Sequence, residues 1–163
     1  MKITTWRIVH KNYAASAFSG EGAKLLGGRW NPKGYPAVYV ADSLSLAMLE
    51  LIVHLDEDRD IQDFRAIPVT FEDTRVIRWS RTKLPKNWST LPISDQTQEM
   101  GKSWLESKQS LVLRVPSAIV PNDSNFLINP LHPVFSSLEI GRTQKLYIDQ
   151  HILVTKDRKI LTI

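Results

Sequence analysis

Apolar and polar positions alternate along the chain in short blocks. Residues 3–9, ITTWRIV, are rich in β-branched and aromatic types and predict a strand carrying Trp6 and Arg7. Residues 11–34 read as a short helix or turn around AASAF followed by a glycine-punctuated loop. PAVYVA, 36–41, predicts a buried strand with Ala37, Tyr39 and Ala41 on one face and Val38 and Val40 on the other. Asp42 and Ser43 supply helix-start chemistry for residues 44–55, whose apolar positions leave almost no polar face and predict a helix buried nearly all round. Further on, 64–71 and 111–117 read as strands and 94–109 as a polar-faced helix. The tail reads as strand-like runs, LYID and HILVT, with a turn at KDRK. Strands and helices are interspersed without regular βα alternation, so the expected fold is α+β, one mixed sheet flanked by helices in a single domain spanning 1–163.

Composition narrows the chemistry. With 163 residues, 42% hydrophobic and 23% charged, the chain has the make-up of an ordinary folded domain. The formal charge of +4 mildly favours anionic partners. There is no cysteine, which removes disulfides, thiolate nucleophiles and cysteine metal sites. His10, His54, His132 and His151 show no ligand spacing, so no metal is expected. No run of about 18 apolar residues occurs and the first residues lack a signal-peptide core, so a soluble cytoplasmic protein without membrane contact is expected.

Candidate functional residues stand out against this background. In the helix at 44–55 Glu50 and His54 are the only ionisable residues among apolar neighbours, four residues apart on one stripe. Either that stripe meets solvent as a surface pair, or it places a carboxylate at the floor of a cleft. Arg29 follows Gly27 and Gly28 and precedes Asn31-Pro32, a loop able to present a guanidinium fork to a phosphate or carboxylate, or simply to carry a capping or solvated charge. Tyr39 has small neighbours on its own face, with room for a planar ligand, although strand aromatics usually pack in cores. Ser117 ends a strand without a GxSxG elbow, and Asn129 precedes proline, so either could be a local turn residue. Between 75 and 88, Arg75, Arg78, Arg81, Lys83 and Lys86 interleave with Trp79 and Trp88, a pattern of single-stranded nucleic-acid binders or of a solvated basic loop.

In order and spacing these segments resemble the RES domain family, the toxins of bacterial RES–Xre toxin–antitoxin pairs. The resemblance rests on WRIV (6–9), GEGAKLLGGRWNPKG (20–34), PAVYVADSLSLAMLE (36–50) and VPSAIVPNDSNFLINPLHPVF (115–135). The arginine, glutamate and serine that name the family fall on Arg29, Glu50 and Ser117, with Tyr39 as a fourth matching position. The resemblance implies a fold similar to ADP-ribosyltransferases and cleavage of the nicotinamide–ribose bond of NAD⁺ as a substrate, with no permanently bound cofactor. Hydrolysis, phosphorolysis and transfer of ADP-ribose to a protein are all family outcomes.

The resemblance thus gives Glu50 the ribose and its developing charge, and gives Arg29, with Arg7 as a second cation, the anionic dinucleotide. Tyr39 and Ser117 position the substrate, and Asn129 is carried as a ligand-binding position. It also implies an Xre-type helix-turn-helix antitoxin covering the cleft, in a hetero-oligomer or beside a homo-oligomer, with DNA binding left to that partner. A nucleic-acid-acting toxin or binding module is the rival reading. A catalytically silent relative is a third, raised by His151 where the family tends to have an arginine.

Overall fold

The computed structural model describes residues 1–55 and 60–149. Its frame is one mixed sheet with β1 Lys2–His10, β2 Val38–Ala41, β3 Phe64–Glu72, β4 Val76–Arg78, β5 Val112–Pro116, β6 Ser124–Ile128, β7 Glu139–Ile140 and β8 Gln144–Lys145. Three helices join it: α1 Glu21–Leu26, α2 Leu44–His54 and α3 Asp95–Ser107. The strand order is β4-β5-β6-β2-β1-β3-β7, with β8 also pairing β3. Only β4 and β5 pair in parallel; the other pairings are antiparallel. This is the α+β architecture expected from the sequence.

The two faces of the sheet are covered differently. One carries Val38, Val40, Ile67, Val69, Phe71, Val112, Phe126 and Ile128, closed by Ala17 and Phe18 from the segment after β1 and by Val134, Phe135 and Leu138. Both long helices sit on the other face. There α2 packs Leu46 and Ala47 against Ala41, Trp6 and Ile8, and α3 packs Trp104 and Leu105 with Leu113, Val115, Leu127 and Trp30. Serine starts each helix: Ser43 Oγ accepts from the Leu46 N–H at 3.1 Å, and Ser94 Oγ from the Gln96 N–H at 3.2 Å.

The sheet is not uniformly zipped. β1 and β3 pair along nine residues, from Lys2 opposite Glu72 to His10 opposite Phe64. β1 and β2 share one pair, Trp6 opposite Ala41. Beyond it the strands part, and backbone groups freed by the parting need other partners. Arg7 provides one, its Nη1 donating to the Tyr39 carbonyl at 2.8 Å and its Nε to the Ala17 carbonyl at 2.5 Å.

Several expectations change. The helix at 44–55 is not buried all round: Leu49 is 44% and Val53 56% exposed, four residues apart on an uncovered stripe. Periodicity cannot reveal an apolar face that the fold leaves open. Within the expected loop, 21–26 forms α1, ended by Gly27 at φ 74°. A strand, β6, lies inside the Asn-Pro segment. The run LYID at 146–149 forms no strand; HILVT, KDRK and His151 lie outside the described residues. Among the described residues no helix is long and apolar enough to cross a membrane, and no cluster of three or more potential metal-ligating side chains forms.

Candidate active site

Where β1 and β2 part, a cavity of about 240 Å³ opens on the helical face of the sheet. Its walls are Trp6, Arg7 and Ile8 of β1, Tyr39, Val40 and Ala41 of β2, Asn125 of β6, and Ala47, Glu50 and Leu51 of α2. Register explains the shape. Asn125 lies opposite Ala41, which lies opposite Trp6, so an amide and an indole flank a methyl side chain in one row.

Glu50 is half-buried on the inner side of α2, and its carboxylate is fixed through a single oxygen. Oε1 accepts from Ser117 Oγ at 3.0 Å and from Asn125 Nδ2 at 2.8 Å. No hydrogen bond ties it to His54, which is exposed on the helix end. The serine itself is fully buried and its oxygen accepts from the Ile119 and Val120 N–H groups, both at 3.1 Å. With both backbone donors aimed at its lone pairs, its proton is directed at Glu50. Ser117 therefore ties the loop after β5 to the carboxylate. Ser117→Ala is expected to cost about 1–3 kcal/mol of stability, because two part-buried N–H groups lose their acceptor and the Glu50 carboxylate loses a donor. Urea unfolding measures this; an unchanged midpoint would mean that water replaces the hydroxyl.

The loop at 27–31 is built around Tyr39. The phenol accepts from the Trp30 N–H at 3.0 Å and donates to Asn31 Oδ1 at 2.7 Å. Burial pushes that phenol well above its usual pKa, which keeps it a neutral donor. A Cβ on Gly28 would lie 2.6 Å from the Tyr39 hydroxyl, so glycine is required there for close approach. Asn31 is fully buried and donates from Nδ2 to the carbonyls of Ala23 and Tyr35 at 2.8 and 2.9 Å. The glycine pair thus seats the tyrosine beneath the loop.

Arg29 is part-buried, with Nη1 donating to the carbonyls of Trp88 at 2.7 Å and Thr90 at 3.1 Å. Desolvation lowers its pKa, while the negative charge of Glu50 acts in the opposite direction. It is thus an electrostatic neighbour of Glu50, though not on the cavity wall. Arg7 is on that wall; burial brings it down to about 10, so it remains charged at neutral pH.

Two other candidates are placed elsewhere. Asn129 is buried at the end of β6, where Nδ2 donates to the Leu105 carbonyl at 2.9 Å and Oδ1 accepts from the Leu131 N–H. That is a turn and helix tether, away from the cavity walls. In the basic segment, Trp88 stacks on Trp30 at 6.3 Å and Trp79 meets it edge-on at 5.7 Å. Arg78 pairs with Asp73, and Arg81 bonds Asn122. The tryptophans are committed to the core packing around Trp30, which removes the stacking platform a single-stranded nucleic acid would need. Sequence reasoning passed over Asn125; the available signal was alternation of Asn125 and Leu127 against Phe126 and Ile128.

The chain has relatives among known proteins. The model of the RES domain matches residues 4–149. The chain is 42% identical over 132 residues to the protein named Toxin Res of Yersinia enterocolitica, covering 81% of this chain and 87% of that protein. It is 33% identical over 160 residues to the Prs ADP-ribosylating toxin of a Sphingobium species, covering 94% and 98%. A 36-residue stretch, 22% of this chain and 19% of the relative, is 56% identical to the NAD(+) phosphorylase MbcT of Mycobacterium tuberculosis. The crystal structure of the M. tuberculosis MbcT–MbcA toxin–antitoxin complex superposes with a TM-score of 0.74 at 20% identity, over 90% of this chain and 85% of that one.

Proposed function

The chain belongs to the RES domain family, and from that premise we propose that it is the toxin of a toxin–antitoxin pair that consumes NAD⁺ by cleaving the nicotinamide–ribose bond. The observation that carries this reading is the Glu50 carboxylate, pinned by Ser117 and Asn125 at the wall of the cavity between β1 and β2. Loss of nicotinamide leaves oxocarbenium-like positive charge on the ribose, comparable to that in glycoside cleavage. A carboxylate already held by two donors stabilises that charge without reorganising as it develops.

Oε1 is occupied by those donors, which leaves Oε2 for the ribose or for the proton of an attacking nucleophile. The Arg7 guanidinium, anchored to two carbonyls, supplies positive charge for the anionic part of the dinucleotide. Arg29 adds charge from beside Glu50 and orders the loop carrying Trp88. Tyr39 holds the loop at 27–31 beside the cavity. In this scheme Ser117 acts through Glu50 as a positioning residue.

Arg29→Lys is expected to lower turnover about tenfold, since an ammonium that takes the place of Nη1 at the two carbonyls has no second nitrogen to direct toward the substrate. Steady-state kinetics that match the wild type would confine Arg29 to a replaceable tether.

ADP-ribosylation and NAD⁺ phosphorolysis, the activities in the names of two relatives, break the same bond and differ in acceptor. Water yields ADP-ribose, inorganic phosphate a phosphorylated ADP-ribose, and a protein side chain a covalent adduct. The match to an ADP-ribosylating toxin over nearly the full length of both chains favours the protein acceptor as the second reading.

Incubation of the purified protein with labelled NAD⁺, with and without phosphate and with cell lysate, separates these by product mass. Free nicotinamide is expected in each case where NAD⁺ falls. NAD⁺ unchanged in all three mixtures, beside steep salt-dependent RNA binding, would replace this reading with the nucleic-acid one.

The partner in this reading is an antitoxin of the Xre helix-turn-helix type, and both proteins act in the cytoplasm, where the NAD⁺ pool lies. Exposed Leu25 and Leu26 on α1 and Leu49 and Val53 on α2 offer such a partner apolar surface.

A further inference from the structure

We propose that Asn125 selects the carboxamide of the departing nicotinamide, making it a specificity-determining residue that also orients Glu50. This rests on the reading of the chain as an NAD⁺-cleaving enzyme. The orientation of the Asn125 amide is fixed by chemistry, because the Glu50 carboxylate only accepts hydrogen bonds and therefore faces Nδ2, at 2.8 Å. Oδ1 must then point away from Glu50. No buried side-chain oxygen or nitrogen lacks a partner among the described residues, and no partner for this oxygen occurs among them. Oδ1 therefore reaches open space, and the space beside Asn125 is the cavity.

Ala41 lies between Asn125 and Trp6 in the same cross-strand row. Two strand spacings separate the outer residues by roughly 10 Å, enough for one aromatic ring over the alanine methyl. A nicotinamide ring placed there has the Trp6 indole on one side and an amide oxygen on the other, with Glu50 above its ribose bond. The carboxamide N–H donates to Asn125 Oδ1. A carboxylate in its place would offer that oxygen no proton and would add negative charge beside Glu50. The cavity, at about 240 Å³, has room for this end of the dinucleotide, with the remainder leading outward.

The test compares NAD⁺ with nicotinic acid adenine dinucleotide, which differs only in carrying a carboxylate for the carboxamide. Wild-type protein is expected to favour NAD⁺ by about 100-fold or more in kcat/KM, as expected for a site built to hydrogen-bond one group. In Asn125→Ala both rates fall, because Glu50 loses a donor, and the preference drops about tenfold. Loosening of Glu50 alone slows both substrates together and leaves the ratio unmoved. Asn125→Ser, a small polar replacement on the strand, serves the same comparison if the alanine variant does not fold. Equal use of both dinucleotides by the wild type, or a preference kept by the folded variants, overturns the role of Asn125 while leaving NAD⁺ cleavage intact. Consumption of neither by the wild type, with phosphate and cell lysate supplied, overturns the reading beneath it.

Discussion

Glu50→Gln is expected to lower NAD⁺ turnover by about 100- to 1,000-fold, the scale of losing one preorganised electrostatic contact to a transition state. The substitution is nearly isosteric. Its side-chain carbonyl can still accept from Ser117 Oγ and Asn125 Nδ2, so the hydrogen bonds that fix the group survive. What disappears is the negative charge facing the ribose, and with it the field that acts against the lowered pKa of Arg29. Substrate affinity should change much less than turnover, since the charge on the ribose exists only in the transition state. Rates by nicotinamide release, with a thermal melt as the folding control, measure this. A folded variant with wild-type turnover would remove Glu50 from the chemistry.

Gly101→Ala is expected to cost more than about 3 kcal/mol, beyond ordinary overpacking, because what it strikes is backbone. A Cβ at Gly101 would lie 1.7 Å from the Trp30 carbonyl oxygen and 2.6 Å from its carbon. No rotamer relieves that overlap; α3 and the loop at 27–31 must separate. Separation pulls Gln98 Nε2 from the Gly28 carbonyl, now 2.9 Å away, and unstacks Trp30 from Trp88. The gain of about 1 kcal/mol in helix propensity from glycine to alanine is too small to offset this. With a shift of about 2–4 °C per kcal/mol for a chain of this size, the melting temperature should fall by about 10 °C. A melt within two or three degrees of wild type, about 1 kcal/mol on the same scale, would show that α3 is free to shift.

The contrast between these sites shows how much of the molecule was readable in its sequence. β1, β2 and β3 were legible because β-branched and aromatic residues crowd 3–9, 36–41 and 64–71, and α2 because Ser43 caps a continuous apolar helix. β6 was not, since Ser124 and Asn125 favour turns and their strand exists through pairing with β2 and β5. α1 was hidden by Gly20, Gly22 and Gly27 around a six-residue helix. The single-pair contact of β1 with β2 is tertiary, and no local pattern announces it.

The site divides the same way. Arg29, Tyr39, Glu50 and Ser117 were marked by residue type against an apolar or glycine-rich background; the fold ties Tyr39 to Trp30 and Asn31 of the loop that carries Arg29, and Ser117 to the Glu50 carboxylate. The purpose of the glycines was not visible: Gly28 admits the Tyr39 hydroxyl, a contact with a residue eleven positions away. Asn125 and Asn129 show the opposite limit. Both are asparagines near strand ends, yet one faces the cavity and the other ties β6 to α3, a difference set by which helix each meets on the same face of the sheet, Glu50 of α2 or Leu105 of α3.

The most direct test of the account is a structure of the slowed Glu50→Gln variant with NAD⁺ bound. The nicotinamide is predicted in the opening between β1 and β2, over Ala41, with the anomeric carbon of its ribose facing residue 50. NAD⁺ bound elsewhere, such as in the open groove lined by Lys83, Gln96 and Ser103, with the β1–β2 cavity empty, would contradict it.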